Sequence, residues 1–424
     1  MNKDIIQLVK SKKYYEDLYE IPWSLEEGKA IIKKTKLRIA LINIPCGGFG
    51  DIIVCHTFYE YLKTWYPHHD IFICTTALQK YKTLGVDTKK FIEISVKGGQ
   101  ECEPYDKLYF KKSPKPFDIM ISIPIIDIHF DISKFKKFIP YANLFNTFTV
   151  SEYNGLAPPY TFPIGVGKDQ LGIFLTKPKV KPHGLLKKPY ALVYIADRSN
   201  PAGIHCKLCF LSYMEMLGKK YSGVYPFFQI VVPPWITTML SENKPFKYKF
   251  KQVISKYYPN VWIVNSEGKD AFIEGTGNSL LIRGDILPKP RPVFISLIKG
   301  SVEDVLLTGD QSITDGLSCC SNKKKIWYQI APWKQDFANE LSKAIPDANI
   351  DNFRTSCGVL RGIHKKRDYS SLVNKYDFRK LGKKRMDAIL NFHYKKDQYQ
   401  AYMDIVLHSR NIESVIKKLK YKVD

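Results

Sequence analysis

Acidic side chains are scarce in this chain of 424 residues: 41 Asp and Glu stand against 65 Lys and Arg, a formal charge of +24. Such a surface suits nucleic acid, an anionic membrane face or small phosphorylated substrates. Drift toward lysine competes with all three, because Lys far outnumbers Arg, as in products of AT-rich genomes. Long apolar runs are missing too. None approaches the ~20 residues that a spanning helix needs, and MNKDIIQLVKSKKYYEDLYE has no apolar core of a secretory leader. Cysteines number nine, an odd count scattered through the chain, with Cys55 and Cys74 inside apolar runs. This points to reduced thiols and a cytoplasmic setting, with peripheral contact to a membrane left open. Cys206-Lys207-Leu208-Cys209 follows His205, but no second CxxC or HxxxH completes a metal site. No Asp-x-Asp pair is present to hold a divalent ion, and Gly165-Val166-Gly167-Lys168 lacks the spacing and Ser/Thr of a Walker loop. No metal and no cofactor are therefore expected.

What the chain has is length for two cores and enough apolar (45%) and aromatic (13%) residues to fill them. Residues 1–36 read as a polar, partly helical lead-in. From 37 to 175, short strands rich in Ile, Phe and Val are expected at 38–45, 70–76, 91–96, 117–125 and 144–152, alternating with helical or loop segments. Residues 176–189, dense in Pro and Lys, read as a linker. A second alternating series spans 190–345. Its strands are expected at 190–196, 226–232, 261–265, 279–283, 304–308 and 325–330, and its helices include 207–219 and 311–319. The pattern predicts an α/β class with two Rossmann-like domains facing a cleft. Residues 346–424 read as a basic helical C-terminal extension, where 18 Lys and Arg face 9 Asp and Glu. Those helices are candidates for contact with an anionic surface.

Chemistry is suggested at strand ends. Ile39 to Ile44 runs into Gly47-Gly48-Phe49-Gly50-Asp51 and then an amphipathic segment. Gly48 and Gly50 let backbone approach a ligand, and a helix start offers free N–H groups to anions. Asp51 repels phosphate, so it suits a base beside the chemistry. His56 follows at i+5 and is a weaker candidate for contact with an acceptor. In the second half, Asp304 to Thr308 runs into Gly309-Asp310-Gln311-Ser312 and a helix with Thr314 and Asp315. Backbone N–H groups at 311–314 and the Ser312 hydroxyl suit a pyrophosphate, and Asp315 suits sugar or ribose hydroxyls. A plain helix cap by Asp310 or Ser312 is the competing explanation. Arg198, after strand 190–196, and Lys207 are placed to bind phosphate. Asp127, His129 and Glu152 follow strands of the first series and are weaker candidates for contact with an acceptor. Trp327, Tyr328 and Trp333 suit either base stacking or a core.

The string GGFGDIIVCHTFYEYLK resembles the opening of heptosyltransferase-type enzymes, and the two-domain pattern resembles a GT-B glycosyltransferase. The resemblance covers residues 37–66 and 190–340. It implies that Asp51 is the catalytic base and that PVFISLIKGSVEDVLLTGDQSITDGLSC holds the nucleotide diphosphate. It also implies that Lys207 is the basic residue of the second domain's first helix. The implied activity is metal-independent, inverting transfer from a nucleotide-diphosphate sugar to an acceptor hydroxyl. Asp310-Gln311-Ser312 and the basic extension depart from the family, so the sugar and the acceptor stay open. A nucleic-acid-binding protein, a glycosyltransferase acting on nucleic acid and a nucleotide-sugar epimerase are the alternatives.

Overall fold

The computed structural model describes residues 36–45, 49–97, 108–123, 184–196, 202–320, 323–330 and 334–344. It also describes the short segments 147–151, 161–165, 349–352 and 373–377 and residues 141, 173 and 180. The described residues divide into two compact units, one up to Phe174 and one from Leu175 on.

The first unit carries a seven-stranded sheet in the order β4-β3-β2-β1-β5-β6-β7. Its strands are β1 (Arg38–Asn43), β2 (Asp70–Thr75), β3 (Phe91–Val96), β4 (Leu108–Phe110), β5 (Ile119–Ser122), β6 (Thr147–Ser151) and β7 (Thr161–Pro163). Only β4 runs antiparallel, on the edge of β3. β1 is apolar on both faces because both are covered: Ile39 through Ile42 are each 0% exposed. Helix α1 (Gly50–Trp65) follows β1, and α2 (Leu78–Thr83) follows β2. α1 buries Cys55, Phe58 and Leu62, positions three and four apart that form one stripe. Burying Phe58 and Leu62 contributes about 1.5–3 kcal/mol each. The helix stops at Tyr66, whose N–H donates to the Leu62 carbonyl at 2.8 Å, and Pro67 cannot continue it.

The second unit carries a nine-stranded sheet, order β11-β10-β12-β9-β8-β13-β14-β16-β15. The strands are β8 (Tyr190–Tyr194), β9 (Phe227–Val231), β10 (Asn260–Val264), β11 (Lys269–Ile273), β12 (Ser279–Arg283), β13 (Asp304–Thr308), β14 (Lys325–Gln329), β15 (Asn349–Asn352) and β16 (Val373–Asp377). From β10 to β14 all neighbours are parallel. The helices are α3 (Ala202–Tyr221), α4 (Pro234–Glu242), α5 (Lys244–Ile254), α6 (Arg291–Gly300), α7 (Asp310–Cys320) and α8 (Gln335–Ala344). One face of the sheet packs Val193, Phe228, Ile230 and Ile282 against α3 and α5 through Phe210, Met214 and Phe250. Across β8 the other face meets α6, where Tyr194 lies edge-on to Phe294 and the Tyr190 hydroxyl donates to the Leu297 carbonyl. α5 starts on Asn243, whose Oδ1 accepts from the Phe246 N–H at 3.0 Å.

Both sheets are the parallel-rich α/β type that the strand and helix alternation predicts. In the region after 345, read from the sequence as a basic helical extension, the described residues form β15 and β16. β16 pairs antiparallel with β14, Gln329 opposite Val373, and β15 pairs with β16. A free β14 edge supplies the pairing partner that a local pattern does not display. The rest of that region lies outside the described residues. No helix among the described residues is long and apolar enough to cross a membrane.

Candidate functional site

In the first unit the carboxyl end of β1 is organised by Asn43, which is 0% exposed. Its Nδ2 donates to the Ile123 carbonyl at 2.7 Å and to the Asp51 carbonyl at 3.2 Å. Its Oδ1 accepts from the Tyr81 hydroxyl at 2.8 Å and from the Thr75 hydroxyl at 3.5 Å. One side chain thus ties β1, β2, the end of β5, α2 and the first turn of α1 together. Asp51 is half-buried. It stands in line with the buried stripe of Cys55, Phe58 and Leu62, so its position is fixed at the end of the sheet. Burial pushes the Cys55 thiol up to about 12, which leaves it inert beside Asp51. His56 follows Asp51 on α1. Five residues on, it lies about 140° around the helix, and its Nε2 is 3.8 Å from the Glu60 carboxylate. Gly50 opens α1. Gly48, Asp127, His129 and Glu152 lie outside the described residues.

In the second unit β8 is the first strand, and β9 and β13 pair on its two sides. The chain order therefore reverses at the β8/β13 boundary, the switch point where open parallel sheets leave a crevice at their carboxyl ends. Two candidate segments leave the sheet there: the loop from β8 to α3, and the turn from β13 to α7. Arg198 belongs to the first loop and lies outside the described residues. Lys207, partly exposed, sits in the second turn of α3. Gly309 is exposed and has φ of 72°, the left-handed region that glycine enters at no cost. It turns the chain sharply from β13 into α7, whose first N–H groups have no partner inside the helix.

A polar frame sits beneath this turn. The Gln329 side chain, at the end of β14, accepts from the Ala196 N–H at 3.2 Å and donates to the Cys206 sulfur at 3.3 Å. The Cys206 thiol donates to the Ala196 carbonyl, and Cys209 packs in the core. The Thr308 hydroxyl donates to the Gln329 carbonyl at 3.1 Å. Two candidates make hydrogen bonds within the protein here. The Ser312 hydroxyl donates to the Thr308 carbonyl one turn back. Asp315, 1% exposed, is held by the Arg291 guanidinium at 2.6 Å and by the Gln311 amide at 3.0 Å. Its carboxylate, expected from the sequence to suit sugar hydroxyls, ties α7 to the start of α6. Burial pushes its pKa up, and Arg291 and Gln311 oppose that shift. The Gln311 Oε1, also buried, has no hydrogen-bond partner. Thr314 is 0% exposed. Trp327 and Tyr328 are core residues, the Trp327 indole donating to Asp304 at 2.9 Å. No cluster of metal-ligating side chains occurs among the described residues.

Asn43, Gln329 and Arg291 were not evident from the sequence as parts of these sites. The signal for the first two is a lone polar residue closing an otherwise apolar strand.

No family model matches the chain, and no curated protein matches it. Several solved structures are similar to this chain. The N-terminal domain of Candida albicans trehalose-6-phosphate phosphatase is 9% identical, with a TM-score of 0.43 over 88% of this chain and 97% of that one. A putative UDP-N-acetylglucosamine 2-epimerase from Listeria monocytogenes is 11% identical, with a TM-score of 0.42 over 89% and 98%. The E. coli heptosyltransferase WaaC with ADP is 10% identical, with a TM-score of 0.31 over 73% and 97%.

Proposed function

We propose that this chain is a glycosyltransferase that moves a sugar from a nucleotide-diphosphate sugar to an acceptor hydroxyl with inversion. The observation that carries this reading is the β13–Gly309–α7 turn at the switch point of a parallel sheet, where a helix start offers N–H groups to an anion. The unpaired Gln311 acceptor beside it adds support, because an unmet buried acceptor costs about 1–3 kcal/mol. In this reading the diphosphate lies at the α7 start, with Lys207 and Arg198 on the neighbouring segment. As the acceptor oxygen bonds to the anomeric carbon, its proton passes to the Asp51 carboxylate. The bond from that carbon to the diphosphate oxygen breaks, and the electron pair leaves with the diphosphate. The α7 dipole, Arg198 and Lys207 stabilise that charge as it forms.

The test pairs binding with turnover. UDP, GDP, ADP and CMP, with their sugar conjugates, are titrated against the whole chain. One nucleoside diphosphate is expected to raise the melting temperature. Asp51→Asn is expected to keep that binding while transfer falls by about a hundredfold or more. Transfer at the normal rate in this variant removes Asp51 as base, and failure of every nucleotide to bind removes the transferase reading.

A further inference from the structure

The opposite, amino-terminal end of the second sheet has a different chemistry. Five large apolar side chains are exposed among the described residues, and three of them, Leu185, Val224 and Phe227 at 38%, 62% and 41%, are at this end. Leu185 lies in the segment leading into β8, and Val224 and Phe227 lie where α3 gives way to β9. Leu185 and Phe227 share a groove of about 460 Å³ with Leu186, Lys187, Lys188, Gln229 and Arg283, whose guanidinium is paired with Asp285.

The charge of this end is lopsided. Lys187, Lys188, Lys299 at the end of α6 and Lys323 before β14 are exposed, and no acidic side chain pairs with them among the described residues. Acids at the same end are largely spent. Glu215 is met by Lys219 and Lys256, and Glu303 by Lys220 and Lys325. Glu274, just after β11, stays exposed. The strand amino ends from β9 to β14, four neighbouring strands, span about 14 Å at the usual strand spacing.

We infer that this end of the second unit docks on an anionic lipid bilayer, with Leu185, Val224 and Phe227 entering the interface and Lys187, Lys188, Lys299 and Lys323 meeting the headgroups. Exposed apolar side chains among lysines suit that boundary. They suit nucleic acid less, since Phe227 is the one ring of the three and lysine lacks the planar fork of arginine. Docked this way, the unit turns its carboxyl-end loops, with Gly309 and Lys207, toward water.

The experiment is sedimentation of the full chain with phosphatidylcholine vesicles, with and without phosphatidylglycerol, across a salt series. Binding is expected only with the anionic lipid and is expected to weaken with salt. Lys187→Ser with Lys188→Ser is expected to lower partitioning about tenfold or more. Val224→Ser with Phe227→Ser is expected to lower it while leaving the salt dependence in place. All four positions are exposed, and an unchanged melting curve establishes that the variants fold. Three outcomes overturn the inference: no binding to anionic vesicles, wild-type binding by both double variants, or binding of DNA or RNA at the same salt that the lysine variant alone loses.

Discussion

Single polar residues at the strand ends do much of the positioning in this protein, and they were the least legible part of it. Asp51 stands out in the sequence because glycines surround it. Asn43 does not, because one amide inside an apolar run carries no periodic signal and its four partners come from distant segments. The same holds for Asp315, which reads as a ligand group in a polar string but is claimed by Arg291 across 24 residues. Lys324 is another residue whose role appears only on folding. It is 3% exposed, with its ammonium donating to the Ser301 and Val302 carbonyls. Burial pushes its pKa down to about 8 from an ordinary 10.5. Between those values the unfolded chain holds a proton that the native chain has released. Stability therefore rises with pH across that window, by up to about 1.4 kcal/mol per pH unit, and the full penalty is present below it. Urea unfolding from pH 7.5 to 10.5 is expected to show this rise in the wild type and a flatter profile in Lys324→Met. Equal slopes in the two proteins would remove Lys324 as the cause.

Among elements, α7 joins the two roles most directly. It lies close on β13 and β14 because Gly316 has no side chain: a Cβ there would be 2.8 Å from a Leu307 methyl and 3.1 Å from an Ile326 methyl. Its start depends on Gly309 at φ 72°. The two glycines are expected to separate stability from binding. Gly316→Ala overpacks the helix against the sheet, costs about 1–3 kcal/mol in chemical denaturation and leaves nucleoside diphosphate affinity unchanged. Gly309→Ala strains the turn by about 1–2 kcal/mol and weakens that affinity in calorimetric titration. Equal effects of both on affinity would argue against the α7 start as the anion site. Elements with a strong period were legible: β3, β12 and β13 match their expected bounds residue for residue. Those that depend on a distant partner were not. β4, β11 and β16 are antiparallel additions to parallel edges, and short edge strands owe their conformation to that pairing rather than to their own residues.

At the scale of the whole molecule, two units with separate sheets and cores are expected to melt in more than one calorimetric transition. A nucleoside diphosphate at about a hundred times its Kd is expected to stabilise the second unit by roughly 2.7 kcal/mol and to leave the transition of the first in place. A ligand that moves only the other transition would relocate the donor site. The strand order of the second unit also governs how the chain leaves the ribosome. β8 is the middle strand of nine, yet it is synthesised first. Its partner β9 emerges soon after, but β13 follows only after roughly 110 further residues, on the order of ten seconds at about 5–20 residues per second. During that interval the central strand of the finished sheet is an open edge on the nascent chain, a template for any other strand that reaches it. Translation speed between Tyr194 and Asp304 therefore bears directly on how much of this protein reaches the native state.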